Sequence, residues 1–263
     1  MITALLKIIF GIIHIAKGGC KIQQLNLKGQ TKTEQAIEFL KKHEPPEGYM
    51  GCFSGGKDSV VIEHLANLAG VKVEWYYSLM PDPPELIQFI RKHYKVNILR
   101  PQLSFWEGVN IWWPPHRNSR WCCYHIKERP STQIKLTHRI LGIRAEESSN
   151  RSKQGWFNKR TKNRINYHPI FDWKEWEIWE YIKYYNLPYC SLYDEGFSRL
   201  GCVVCPLRSY PQMMMYKKRW PQYYRFFEKQ AYKWWERIGH HRQSVRGYAK
   251  LFDEFLDNWY RGK

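Results

Sequence analysis

Six consecutive residues, Ser54-Gly55-Gly56-Lys57-Asp58-Ser59, bring together two glycines, an ammonium, a carboxylate and two hydroxyls. An apolar run, Tyr49-Met50-Gly51-Cys52-Phe53, precedes them and reads as a buried strand. Val60 to Leu68 follows and reads as a helix. Two glycines between strand and helix let the backbone pass close to a ligand without Cβ clashes. The N–H groups and dipole of the helix start then favour an anion. Lys57 adds a mobile cation, and Ser54 and Ser59 add hydroxyl donors, so the stretch reads as a phosphate cradle. It is not a Walker loop, which needs four residues between its first Gly and its Gly-Lys pair. A Gly-Gly pair at this position can also be no more than a turn.

The cysteines make a second pattern. The chain has seven: Cys20, Cys52, Cys122, Cys123, Cys190, Cys202 and Cys205. In a chain of 263 residues they do not resemble a secreted disulfide scaffold, which points to a reducing, cytoplasmic setting. Cys122-Cys123 and Cys202-x-x-Cys205 supply four thiolates, a donor set suited to an iron–sulfur cluster or a structural zinc. Zinc sites usually draw on two Cys-x-x-Cys knuckles, and an adjacent Cys-Cys pair is awkward for one small ion. A cuboidal 4Fe–4S cluster offers separate iron corners, which places it ahead of zinc and of plain buried cysteines.

The elements that would position these groups alternate. Residues 31–43 read as a helix capped by Thr31 or Thr33, and Glu44-Pro45-Pro46-Glu47-Gly48 ends it. After the phosphate loop, strands are expected at 71–77 and 95–99 with a helix from Pro83-Pro84-Glu85 to about Tyr94 between them. This order predicts an α/β fold, a mostly parallel sheet with helices on both faces and the ligand at the carboxyl ends of the strands. Residues 101–127 read as irregular, 128–138 as a helix and 138–144 as a further strand. Lys153–Arg164 reads as a basic loop, either a contact for a polyanion or a solvated excursion. Tyr167–Ile170 reads as a short strand. Asp172 is expected to cap the next helix with Glu175 at the capping-box position, and Trp176, Trp179, Ile182 and Lys183 to form a core stripe. Residues 211–263 read as a helical cap divided at Pro221 and Gly239. The resulting division is 1–44, an apolar segment and helix; 45–210, the main domain; and 211–263, the cap.

Residues 2–16 are strongly apolar but too short for a comfortable membrane span, and Lys7 and His14 interrupt them. A packed N-terminal helix or an upstream start is favoured over a signal peptide or a membrane or partner anchor. The balance of 42 Lys+Arg against 24 Asp+Glu gives a formal charge of +18, which suits a polyanion such as DNA or RNA. The bland reading of that charge is nucleotide binding and solubility. Many of the 13 Trp and 18 Tyr must be core, yet aromatics interleaved with cations on one surface would also suit stacked bases.

The hexapeptide resembles the PP-loop of the ATP pyrophosphatases, within the adenine nucleotide alpha-hydrolase-like (HUP-like) superfamily. Other segments narrow the resemblance to the phosphoadenylyl-sulfate (PAPS) reductase family. Gly142-Ile143-Arg144-Ala145-Glu146-Glu147-Ser148, with Arg151 following, is similar to its Gly-x-Arg-x-x-Glu/Gln-Ser segment. His168-Pro169-Ile170-Phe171-Asp172-Trp173 with Trp179 and Tyr181-Ile182 is similar to its Pro-Ile-x-x-Trp segment. Pro83-Pro84-Glu85 is similar to its Phe-Pro-Glu-Thr stretch, although Ser78-Leu79-Met80 stands where the family has Asp-Thr-Gly. Together these cover about residues 45–210. The cysteine pattern resembles that of the iron–sulfur adenylyl-sulfate reductases and of the DNA phosphorothioation enzyme. The resemblance implies nucleotide binding by Ser54, Gly55, Gly56, Lys57, Asp58, Ser59, Arg144 and Arg151, with Arg144 on a phosphate. A surface ion pair is the bland reading of Arg144. Arg120 and Lys127, near the cysteines in sequence, are either electrostatic partners of the nucleotide or solvated.

Sulfonucleotide reductases carry a catalytic cysteine in a Glu-Cys-Gly-Leu-His segment, whereas no cysteine follows Cys205 in this sequence. Cys52 is expected to be buried, which leaves Cys190, in a loop, as the substitute nucleophile. The leading expectation is therefore ATP and Mg²⁺ at the loop beside a 4Fe–4S cluster. An acceptor oxygen, on nucleic acid, is adenylylated with release of pyrophosphate, and sulfur then displaces AMP. Lys57, Asp58 and Arg144 would carry the chemistry, with Asp58 either on the metal side or only at the helix start. A sulfur-donor or electron-donor protein is implied. Sulfonucleotide reduction on an adenylyl sulfate and a non-catalytic nucleotide sensor that binds nucleic acid are the alternatives.

Overall fold

The structure is a computed structural model that describes residue 25 and residues 29–161, 164–242 and 248–262. The apolar run 2–16 and Cys20 lie outside the described residues. Helix α1 (Lys32–Lys42) begins at a capping box: Thr31 Oγ accepts from the Glu34 N–H at 3.1 Å, and the Glu34 carboxylate accepts from the Thr31 N–H at 2.7 Å. The turn at 45–48 feeds β1 (Tyr49–Cys52), whose end opens into the phosphate loop and then α2 (Lys57–Ala69). β2 (Val73–Ser78), α3 (Pro84–His93) and β3 (Asn97–Leu99) follow, with Pro84 in the first turn of α3, where its missing N–H costs nothing. β4 is His138–Leu141, β5 Phe157–Thr161 and β6 Arg164–Tyr167. The six-stranded sheet has the order β3-β2-β1-β4-β6-β5. β1 runs parallel to both β2 and β4, β4 runs parallel to β6, and β5 is antiparallel to its neighbour β6. The chain thus has a mostly parallel α/β fold with helices after its strands and a helical C-terminal part.

Two compact units divide the chain: Met1–Tyr76 with Leu136–Cys190, and Tyr77–Lys135 with Ser191–Lys263. In the first, the central strand has an apolar surround: Tyr49, Met50, Val61, Ile62, Leu65 and Ile140 are buried. Tyr49 resolves its buried hydroxyl by donating to the Leu40 carbonyl at 2.9 Å. Helix α5 (Glu175–Tyr184) packs on α2, where the Tyr181 hydroxyl meets His64 Nδ1 at 2.8 Å. In the second unit, α4 (Phe105–Ile111) packs against α7 (Pro221–Trp234). α6 (Tyr210–Arg219) and α8 (Phe252–Arg261) also pack on each other there. Trp234, Trp235 and Phe255 form an aromatic core, and Trp259 Nε1–H donates to the Pro115 carbonyl at 2.7 Å.

Five local expectations need correction. Asp172 does not cap α5: a turn from Ile170 to Trp173 shifts the start, Lys174 is the N-cap, and Glu177 accepts the Lys174 N–H at 2.6 Å. The apolar stripe of α5 falls on Ile178, Tyr181 and Ile182, and Trp176 is exposed, because one residue of phase turns it outward. Residues 128–138 are not one helix; a π-helical turn, Cys123–Glu128, gives way to a short 3₁₀ turn, Pro130–Gln133, since Pro130 has no N–H to continue the ladder. The basic stretch Lys153–Arg164 contains the edge strand β5 rather than a loop, with residues 162–163 outside the description. Pro169 leaves the short strand earlier than expected, at Tyr167. The C-terminal helices do break at Pro221, and a π-helical turn closes at Gly239.

Candidate active site

The phosphate loop lies at the carboxyl end of β1. Gly55 has φ +73°, a left-handed conformation that a side chain would strain. Gly56 then caps the 13-residue α2 in extended geometry with no side chain over the first turn. The loop is braced from within: Ser59 Oγ donates to the Gly56 carbonyl at 2.7 Å, and Ser54 Oγ stands 3.3 Å from Ser59 Oγ. The two serines therefore shape the turn as well as lining it. A helix start of this kind is suited to a phosphate or carboxylate.

Two buried cations accompany it. Lys57 is 4% exposed, and its Nζ lies 3.3 Å from Glu175 Oε1 and 3.9 Å from Asp58 Oδ2. Arg144, at the turn after β4, is 3% exposed; its Nε donates to Asp58 Oδ1 at 2.6 Å and its NH1 to Glu146 Oε2 at 3.3 Å. It is neither at the surface nor solvated. The approach of Asp58 to the end of β4 needs Gly142, where a Cβ would stand 3.0 Å from the Asp58 backbone carbon and oxygen. Glu147 accepts from the Arg144 N–H at 3.1 Å and from the Arg151 guanidinium. Glu146 also accepts from the Glu175 N–H at 3.0 Å. Burial pushes the Asp58 carboxyl up, while the charges of Arg144 and Lys57 pull it back down. Asp58 thus aims Arg144 and does not cap α2. Glu175 is the member the sequence pattern misplaced, as a capping residue; its contact with Lys57 depends on where α5 starts.

The second unit gathers the four paired cysteines. Cys122 and Cys123 open the π-helical turn, and Cys202 and Cys205 flank a tight turn held by Arg208, whose NH2 donates to the Cys202 carbonyl at 2.7 Å. The Cys122 thiol is pushed up by its hydrogen bond to Cys123, then by burial and by Cys123, Cys202 and Cys205. Cys123 is drawn down to about 6, first by that hydrogen bond and then by Arg120 and Lys127. Cys202 is pushed well up by burial, then by Asp82 and Cys205. The four sulfurs therefore share one electrostatic neighbourhood. Among the described residues no three His, Cys, Asp or Glu side chains converge as the ligands of a single ion. The donor chemistry, one buried and three half-buried soft thiols beside two cations, still fits a soft metal group. In the first unit Cys52 is only half-buried, whereas Cys190 is 1% exposed. Its loop position suggested an accessible nucleophile, but its side chain faces inward.

Residues 48–208 match the phosphoadenosine phosphosulfate reductase domain, and the chain belongs to that family. A related uncharacterized protein of Methanocaldococcus jannaschii is 31% identical over 73% of this chain and 44% of its own length. The adenosine 5'-phosphosulfate reductase of Oceanobacillus iheyensis is 33% identical over 46% of this chain and 54% of its own. The chain spans about half the length of these curated relatives. Its fold is like that of a phosphoadenylyl-sulfate (PAPS) reductase from Candida auris, with TM-score 0.53, 16% identity and coverage of 72% of this chain and 93% of that one.

Proposed function

We propose that this chain is a PP-loop enzyme of sulfur transfer that adenylylates a nucleic-acid acceptor. The carrying observation is the anion-ready loop with two buried cations beside it, Lys57 in the first turn of α2 and Arg144 from the turn after β4. An acceptor oxygen attacks the α-phosphorus of ATP, the bond to the bridging α–β oxygen breaks, and pyrophosphate leaves with that electron pair. A sulfur nucleophile then displaces AMP from the activated carbon. Loop N–H groups and Lys57 hold the phosphates, and Arg144 stabilises charge on the α-phosphate as it develops. Mg²⁺ would screen the leaving pyrophosphate, with Asp58 its nearest carboxylate donor in the loop. Cys122, Cys123, Cys202 and Cys205 would hold a 4Fe–4S cluster, which supplies electron or sulfur transfer when bound. The net charge of +18 supports a polyanionic acceptor.

Pyrophosphate release from ATP by anaerobically prepared protein, with and without DNA or RNA, tests this reading. Release that rises with one nucleic acid and is lost in Lys57→Ala is expected; no release under any condition overturns it. Iron and sulfide analysis of the same protein checks the cluster separately.

The names of the reductase relatives favour a second reading, reduction of an adenylyl sulfate with release of sulfite. It needs a thiol to attack sulfur, and the burial of Cys190 speaks against that residue. An external thiol would have to serve instead, and sulfite release from adenylyl sulfate with added thiol would support it. Salt-sensitive binding to nucleic acid with neither product would leave a non-catalytic sensor.

A further inference from the structure

The second unit contains an open cavity of about 650 Å³, none of whose lining residues comes from the phosphate loop. That volume lies in the range of small-ligand sites, which run from about 300 to 1,000 Å³. Its wall is aromatic. Trp106 meets Phe226 edge-on with ring centroids 5.0 Å apart and Tyr223 at 5.9 Å. The Tyr223 hydroxyl is anchored on the Asp82 carbonyl at 3.0 Å, which fixes that ring. Phe226 is 45% exposed and Trp106 only half-buried, so aromatic surface stays within reach of a flat ligand. Gln102 and Gln222 end in amides, which donate and accept as the edge of a base requires, and Arg100 brings a cation to the lining. On α7 the stripe that carries Gln222 and Phe226 continues to Lys229 and Lys233, both exposed.

We propose that this cavity receives an unstacked base of a single-stranded nucleic acid, with phosphates running over Arg100 toward Lys229 and Lys233. The proposal concerns binding and rests on the nucleic-acid acceptor of the reading above. Aromatic stacking with adjacent cations is the sequence-tolerant way to hold a single strand. A free nucleotide carries the same chemistry in its base and phosphate, but it has no use for a basic track one and two turns beyond the cavity.

The test is anisotropy of labelled single-stranded DNA and RNA with the full chain, without ATP. Phe226→Leu, which keeps apolar bulk and removes the ring, is expected to weaken binding about ten-fold, as is Trp106→Leu. Arg100→Gln is expected to flatten the slope of log affinity against log salt by about one unit. An oligonucleotide with 5-iodouracil should crosslink within 100–106 or 222–226. Wild-type affinity in Phe226→Leu together with an unchanged salt slope in Arg100→Gln overturns the proposal, as does crosslinking only elsewhere. Competition by AMP at the same concentration as the strand would assign the cavity to a free nucleotide and overturn the strand. Thermal unfolding identifies a misfolded Trp106→Leu, in which case the exposed Phe226 decides. Binding through this cavity without pyrophosphate release would sink the adenylylation reading alone. Nucleic-acid-stimulated release with unaltered Phe226→Leu binding would sink this proposal alone.

Discussion

At the scale of single residues, Lys57 is held by a carboxylate that a bound phosphate would have to displace. The partner, Glu175, is 48% exposed in its side chain, so water screens the pair and its worth is below about 1 kcal/mol. Glu175→Gln should therefore tighten nucleotide binding by up to about five-fold, with kcat little changed; calorimetric titration of nucleotide measures it. Weaker binding would mean that Glu175 positions Lys57 rather than competing for it. Gly142 is constrained more severely. A methyl there would press at 3.0 Å on the Asp58 backbone, which cannot swing aside as a flexible side chain could. Gly142→Ala should cost about 1–3 kcal/mol in denaturant unfolding and weaken nucleotide binding along with it. Unchanged values for both would show that the turn relaxes freely.

At the scale of elements, the end of β6 carries a buried titratable group. His168 is fully buried, and its Nδ1–H donates to the Gly155 carbonyl at 2.7 Å, which leaves Nε2 as the unprotonated nitrogen. Burial first, and then Arg151 and Arg160, push its pKa below the ordinary 6.5, against the raising effect of the Gly155 bond. A depressed histidine pKa means that the unfolded chain takes up the proton more readily. Its contribution to stability is therefore present above about pH 6.5 and lost as pH falls through the folded value. The unfolding midpoint of the wild type should drop between pH 7.5 and 5.5 by more than that of His168→Gln. Parallel curves for the two proteins would remove His168 from the account. In the same hairpin the basic polar stretch forms β5, an edge strand with one partner, which needs no apolar alternation to be a strand.

At the scale of the whole molecule, the phosphate loop belongs to one compact unit and the four paired cysteines to the other. If the four thiols of the second unit hold a cluster, metal binding adds to its folding free energy, because the unfolded chain binds the group less well. Oxidative bleaching of anaerobically prepared protein should then lower its melting temperature. Cys205→Ser should start lower and respond little to the same treatment. An equal drop in both would show that the thiols carry no stabilising metal.

The left-handed turn at Gly55 and the parallel α/β order were legible from residues alone, because each depends on local chemistry: glycine φ and apolar periodicity. The threonine cap of α1, offered by Thr31 or Thr33 and made by Thr31, and the first-turn proline of α3 were legible for the same reason. Tertiary structure alone decided the rest. The start of α5 depends on a turn at Ile170–Trp173, and that start puts Glu175 on Lys57. The burial of Arg144 and its pairing with Asp58 join residues 86 positions apart, which no local pattern encodes. The inward face of Cys190 and the aromatic wall of Trp106, Tyr223 and Phe226 likewise arise from packing between distant segments, where burial rather than spacing decides what a side chain can do.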